Sequence, residues 1–566
     1  MRFGEVRHRN NQRKFRPAKY LRRGKIAKAV SNGVSNYYYS MLKKTPVEEI
    51  MAGNFTRSLT KDVLKTISSE VKKSARLHDD VMLELMLTQK VIKESSSHAS
   101  SKGYLQRLQI DPFAVHLQTD TGINILAQHL KQTPTALYLD ATGGVVQKIP
   151  DQNKRVLYYA LVLPGMGKDK PPLPVTELIT NSHSIPSISY WLMEFQRKLS
   201  HTTKRRITQV ETDYSWALIN SVLLSFNKEN ISMYLIRAFG IVSGQSEQIP
   251  KFTVLHLCSA HIMKAVSQAF GRKTEDRGIQ EYATFSFAYL LNCTSMQVAH
   301  EVFYHMCVLF DAEEYTHLVK QSKTYLDKCV LKIQDIKLEE SGHVMGEEES
   351  NTEKSANSAV GKSPFTHAFQ ARRDQAQCDI LTEDPVGIGI NNHYLCPGVI
   401  NVLFKNYMGI FPLWGGLLLG DLSRHGKCTT IETNGREKTR DTNCHVELWF
   451  GLVKHSILLK KKYLRPAEFI SKMFASMQGR YVEHVEQHNL PIQILDKTVT
   501  SSRRPDDDHE EQWKKRDSST GQSKSKSKYF NPPEKLPNPR SLHAKEVKKR
   551  KEAQDQQVKD AQVNIV

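Results

Sequence analysis

Apolar residues recur at three- and four-residue spacing between about Pro46 and Glu94: Val63, Leu64, Ile67 and Val71, then Val81, Leu83, Leu85 and Met86. That spacing predicts helices with one apolar face. The stretch SSSHASSKG (Ser95–Gly103) has the composition of a linker. From 104 to 270 the pattern changes to short β-rich runs at Ala136–Asp140, Val145–Lys148, Val156–Leu163, Arg206–Thr212 and Phe252–Leu257. Helical periodicity separates them near Ile188–Leu199 and Ser215–Phe226, and returns after Ser259. Three strands, a helix, a strand, a helix, a strand and a helix predict an α/β sheet with helices packed on it. Helical patterns dominate from 271 to 440, interrupted by an acidic, Ser-rich segment at 335–363 with too few apolar residues to fold. A helix is expected from near Asn443 toward Leu459, and another after Pro466.

Composition adds boundaries to this pattern. At 566 residues the chain exceeds a single small domain, yet only 39% is apolar, which implies polar arms around an ordinary core. The expected division is a basic arm at 1–45, a helical region and linker at 46–103, the first part of a core at 104–270, a helical insertion at 271–440, the completion of the core at 441–500 and a disordered charged tail at 501–566. The net charge is +21, and much of it lies at the ends: residues 1–30 hold eleven Lys or Arg against one Glu. Such a balance favours a polyanion, here double-stranded DNA. The candidate contacts are Arg7, Arg9, Arg13, Lys14, Arg16, Arg22 and Arg23. The run Lys548, Lys549, Arg550, Lys551 reads as a nuclear import signal. Eight cysteines without a CxxC pair exclude a disulfide scaffold and suggest a reduced compartment. No apolar run is long enough for a bilayer span, so no membrane partner is expected.

Three carboxylates carry the candidate chemistry. Asp140 follows the apolar run TALYL and precedes ATGG; the same position suits a turn-forming Asp. Asp213 stands where a strand passes into a helix, with Ser215 as the expected N-cap. Glu447 falls in the first or second turn of a helix that Thr442 or Asn443 can cap, where an acid also suits the helix dipole. Together they would make an oxygen-rich site suited to two Mg²⁺ or Mn²⁺ ions. Cys258 and His261 stand three apart after the last β-rich run. Without a second pair at matching spacing, no structural zinc is expected of them, and no small-molecule cofactor is indicated. A glycosidase using two carboxylates is the poorer reading, because the positive charge favours a phosphate polymer.

The order LDATGG, ETDYSWALI, CSAH and TNCHVELWF resembles that of eukaryotic cut-and-paste DNA transposases with an RNase H-like core, in the Mutator-like, hAT and Kyakuja–Dileera–Zisupton groups. The resemblance covers about 104–490 and implies an RNase H-like α/β core split by a helical insertion. By resemblance Asp140, Asp213 and Glu447 would bind the catalytic metals. Cys258 and His261 would order the site or the flanking DNA, and Thr442 and Asn443 would belong to the signature before the Glu. The insertion would contact DNA or a second subunit of a homo-oligomer. Full-length relatives usually carry an N-terminal zinc-binding domain, whereas the first cysteine here is Cys258. The expectation is therefore a truncated or domesticated copy, or one whose basic N-terminal segment replaces that domain. A catalytically silent DNA- or chromatin-binding adaptor is the alternative.

Overall fold

The computed structural model describes residues 18–30, 33–54, 58–95, 103–165, 170–245, 252–332, 361–383, 390–419 and 442–496, with Lys548, Lys549 and Glu552. Arg7, Arg9, Arg13, Lys14, Arg16, Arg550 and Lys551 lie outside the described residues, as do 335–360 and most of 501–566. The chain divides into Met1–Ser501 and Ser502–Val566. In the second unit, Lys548 and Lys549 are helical and exposed.

The described part of the basic N-terminal segment is helical. Helices α1 (Tyr20–Val30), α2 (Val34–Lys43) and α3 (Lys61–Ser74) share a small core of Ala18, Ile26, Val30, Leu59, Leu64 and Ile67. Arg23 spends its charge inside this unit: its Nε donates to Glu70 at 3.1 Å and its Nη1 to the Ala18 carbonyl at 3.1 Å. Helix α4 (Val81–Ser95) then runs to the sheet.

The strands are β1 (Leu105–Gln109), β2 (Ala114–Leu117), β3 (Ala136–Gly143), β4 (Leu157–Leu163), β5 (Leu173–Thr180), β6 (Gln209–Thr212) and β7 (Val254–Leu257). They form one mixed sheet in the order β1-β2-β5-β4-β3-β6-β7. β3 and β6 are parallel, as are β6 and β7, and the other neighbours are antiparallel. The class is mixed α/β, consistent with an RNase H-like sheet core carrying helical regions. β5 is buried at every position and β4 at all but Leu157, so both faces of these strands are covered.

Helices α5 (Asp120–Gln132), α6 (Ile185–Thr202), α7 (Trp216–Val222), α8 (Ile231–Val242) and α9 (Ser259–Gly271) connect and flank the strands. Beyond them come α10 (Arg277–Leu291), α11 (Met296–Asp311), α12 (His317–Leu331), α13 (Pro364–Thr382) and α14 (Pro397–Asn406). Their buried side chains are continuous with those of the sheet, in one core. Two further helices close the fold: α15 (Cys444–Leu452), extended by a π-helical turn at Val453–Ile457, and α16 (Pro466–Gln487). Among the described residues no helix is long and apolar enough to cross a membrane.

The structure departs from the expected strands at several places. Val145–Lys148 is not a strand; it makes one isolated parallel bridge, Val146 to Leu464. The third strand is β5, whose sequence LPVTELIT hides it: Pro174, Thr176, Glu177 and Thr180 break the apolar signal although all are buried. Its acid is accommodated by Tyr104, which donates to Glu177 Oε2 at 2.7 Å, and by Tyr158, which donates to Oε1. β1, β2, α5 and α8 likewise fall where the sequence pattern had resolved no element.

Candidate active site

Strand register brings the two aspartates together. In the parallel pair β3–β6, Leu139 lies opposite Thr212, so Asp140 and Asp213 are the next residues on adjacent strands. Asp140 is not at the end of its strand, since β3 continues to Gly143. It stands instead where the parallel partner stops, the kind of crevice in which α/β sheets bind ligands. Burial and the nearby Asp213 carboxylate push the Asp140 pKa well above the usual range, opposed by the Ala141 N–H that donates to its Oδ1 at 2.6 Å.

The third acid arrives on α15, which packs on β3 and β4. Trp449, fully buried, fixes that helix: its Nε1 donates to Tyr158 Oη at 2.9 Å, and Arg480 of α16 lies 5.2 Å from its ring. Glu447 is left half-exposed and faces the aspartates, with Oε1 3.7 Å from His261 Nε2. Its charge also contributes to raising the Asp140 pKa.

Cys258 and His261 lie between the acids. Cys258 stands between β7 and α9, at the N-cap of the helix, and its N–H donates to the Thr212 carbonyl at 2.9 Å. His261, in the first turn of α9, places Nδ1 3.0 Å from Asp213 Oδ1. The ring N–H is not aligned for a full hydrogen bond, so this contact is largely one of charge. Asp213 and Cys258 raise the His261 pKa to about 11, against the opposing effect of burial. Burial pushes the Cys258 thiol up.

Asn443 ties these pieces together. Fully buried, it precedes α15 but does not cap it with its side chain. Its Nδ2 instead donates to Asp213 Oδ1 at 3.1 Å and to the Leu139 carbonyl at 3.3 Å, and its backbone N–H donates to Cys258 Sγ at 3.3 Å. One side chain thus joins β3, the end of β6 and the start of α15. Thr442 is half-buried beside it. Ser215 likewise makes no side-chain cap; its Oγ lies 3.1 Å from His183 Nε2. His183 Nδ1 in turn meets Tyr159 Oη at 2.5 Å.

The sequence reading missed the basic rim. Lys454, on the π-helical turn, is half-buried near Asp140, with Lys462 and Arg155 close enough to be felt; burial lowers its pKa. The loop behind it is bent tightly. Lys460 and Tyr463 have φ of 61° and 54°, and Tyr463 and Leu464 donate to the carbonyls of Gly144 and Val145, both at 2.9 Å. Gly144, at φ 81°, makes the matching turn after β3. The signal was the cluster KHSILLKKK, but only the bonds from Tyr463 to Gly144 and from Leu464 to Val145 reveal that it borders the acids.

Asp140, Asp213 and Glu447 offer carboxylate oxygens, the ligand type a hard divalent cation takes, and Asp213 is close enough to raise the Asp140 pKa. A second donor set, Asp213, Cys258 and His261, brings one ligand atom from each within 4.8 Å of the others.

No family model matches the chain. Over 195 residues it is 27% identical to a 120.7 kDa protein in the NOF-FB transposable element of Drosophila melanogaster. The match covers 34% of this chain and 18% of that protein. The chain is thus similar over a third of its length to a protein encoded by a transposable element.

Proposed function

We propose that this protein performs metal-dependent cleavage and strand transfer of DNA phosphodiesters, with Asp140, Asp213 and Glu447 holding two Mg²⁺ or Mn²⁺ ions. The observation that carries the reading is the convergence of two aspartates from adjacent parallel strands and a glutamate from α15 on one crevice. Bound there, divalent ions would activate a water or 3′-hydroxyl and offset charge on the leaving oxygen. The chain's own residues do the positioning. Asn443 holds the Asp213 carboxylate in one orientation, and α15 is locked by Trp449. Lys454 and its basic neighbours would hold the phosphate backbone. The net charge of +21 supports duplex DNA as the substrate and the nucleus as the site of action. The similarity to a transposable-element protein supports a transposase-like origin.

A catalytically silent DNA- or chromatin-binding adaptor is the second reading. It is favoured by His261, whose positive charge already offsets part of the charge of Asp213 and Glu447. Nicking of supercoiled plasmid with Mn²⁺ or Mg²⁺ separates the two. Nicking by the wild type and not by Asp213→Asn is expected. DNA binding without nicking in either protein would favour the adaptor.

A further inference from the structure

A second cluster of metal-binding side chains stands apart from the carboxylates, where α5 packs against α16. His129 comes from α5, His484 from α16, and His488 follows the last turn of α16. His484 and His488 are four apart, so they share a helix face. His129 and His484 are 2% and 3% exposed, and their Nε2 atoms are 2.9 Å apart. The rings of His484 and His488 are 4.2 Å apart, and that of His129 lies 5.2 Å from each. One nitrogen from each histidine lies within 4.8 Å of the other two. Nitrogens sharing a tetrahedral zinc at about 2.0–2.1 Å would be roughly 3.3 Å apart, a spacing these side chains reach by small rotations.

We propose that His129, His484 and His488 form a three-histidine site for a borderline-soft divalent ion, Zn²⁺ foremost, that fastens α16 to α5. Simple packing of the three imidazoles explains less. Two of them can share one N–H···N bond, but His488 Nε2 is buried with no hydrogen-bond partner among the described residues. All three are in the neutral form that a metal requires: burial and mutual repulsion hold the pKa of His129 at about 4 and of His484 at about 3, and burial lowers that of His488. Lys170 is the opposing cation; its Nζ donates to the Gln487 carbonyl, and its charge helps to keep His484 and His488 neutral. The ligand type sets this site apart from the carboxylate crevice, since imidazole suits zinc and neighbouring metals while carboxylates suit magnesium and manganese.

The test uses the full chain carrying Asp213→Asn, stripped with a chelator and titrated with Co²⁺. Visible d–d bands saturating at one ion per chain are expected, displaced by Zn²⁺ and lacking the near-ultraviolet thiolate band that Cys258 would give. Adding His488→Ala should weaken binding at least about 10-fold, since loss of even an outer partner of a metal ligand costs about 10–100-fold. Zinc-edge X-ray absorption on the Asp213→Asn chain provides a measurement that needs no histidine variant. Imidazole nitrogens without sulfur in the first shell support the site. No bands, sulfur in the first shell, or undiminished binding after His488→Ala overturns it.

Discussion

Replacing Asn443 by Ala tests whether one buried amide organises the carboxylate crevice. The substitution removes a hydrogen bond to the Asp213 carboxylate and another to the Leu139 carbonyl. A bond to a charged group contributes about 1.5–3 kcal/mol and a neutral one about 1 kcal/mol. Against this, Asn443 Oδ1 is buried without a partner, so its loss returns about 1 kcal/mol. The net expected loss of stability is about 1.5–3 kcal/mol, measured by urea unfolding at pH 7. Metal-dependent nicking should fall about 10–100-fold under conditions where the variant remains folded, because Asp213 loses its orienting donor. Asn443→Asp should be worse at high pH than at low pH, since it sets a second carboxylate against Asp213 Oδ1. A loss below about 0.5 kcal/mol with unchanged nicking would refute the argument that Asn443 joins β3, β6 and α15.

Other substitutions separate the site from the scaffold. Glu447→Ala should abolish nicking while shifting unfolding by less than about 0.5 kcal/mol, because the side chain is half-exposed; a large stability loss would show that Glu447 is structural. Lys454→Ala should weaken DNA binding and lower the slope of log affinity against log salt by about one, as for one lost phosphate contact; an unchanged slope would remove Lys454 from the interface. Burial raises the Glu177 pKa from 4.5 to about 7. The folded chain therefore binds the extra proton between those values, and stability falls as pH rises through that window, by up to about 3 kcal/mol. Unfolding at pH 5 and pH 8 should show that fall in the wild type and not in Glu177→Gln, and equal pH dependence in both would refute it.

Local pattern carried much of the fold. The β3 run, β4, β6 and β7, and the helices around α15 and α16, are marked by apolar runs or helical spacing that local sterics and burial impose. The candidate acids drew attention because Asp140 and Asp213 stand where strand patterns give way to turn or cap residues and Glu447 falls in the first turn of a helix. β5 was not, because its buried polar residues depend on partners distant in sequence, Tyr104 and Tyr158 for Glu177. Ser215 and Asn443 do stand at the N-cap positions of α7 and α15, but tertiary contacts with His183 and Asp213 claim their side chains in place of capping bonds. The three histidines showed only one local sign, the four-residue spacing of His484 and His488. His129 lies 355 residues from His484 in sequence, and the packing of α5 on α16 alone joins them.

By itself the sequence determined the α/β class, the positive charge and the residue types available for chemistry, since these follow from local periodicity and composition. Only the tertiary structure decided that Asp140 and Asp213 are neighbours, that Asn443 reaches both of their strands, and that Lys454 borders the crevice. Those facts come from strand register and helix docking, which depend on burying side chains far apart in sequence against one another.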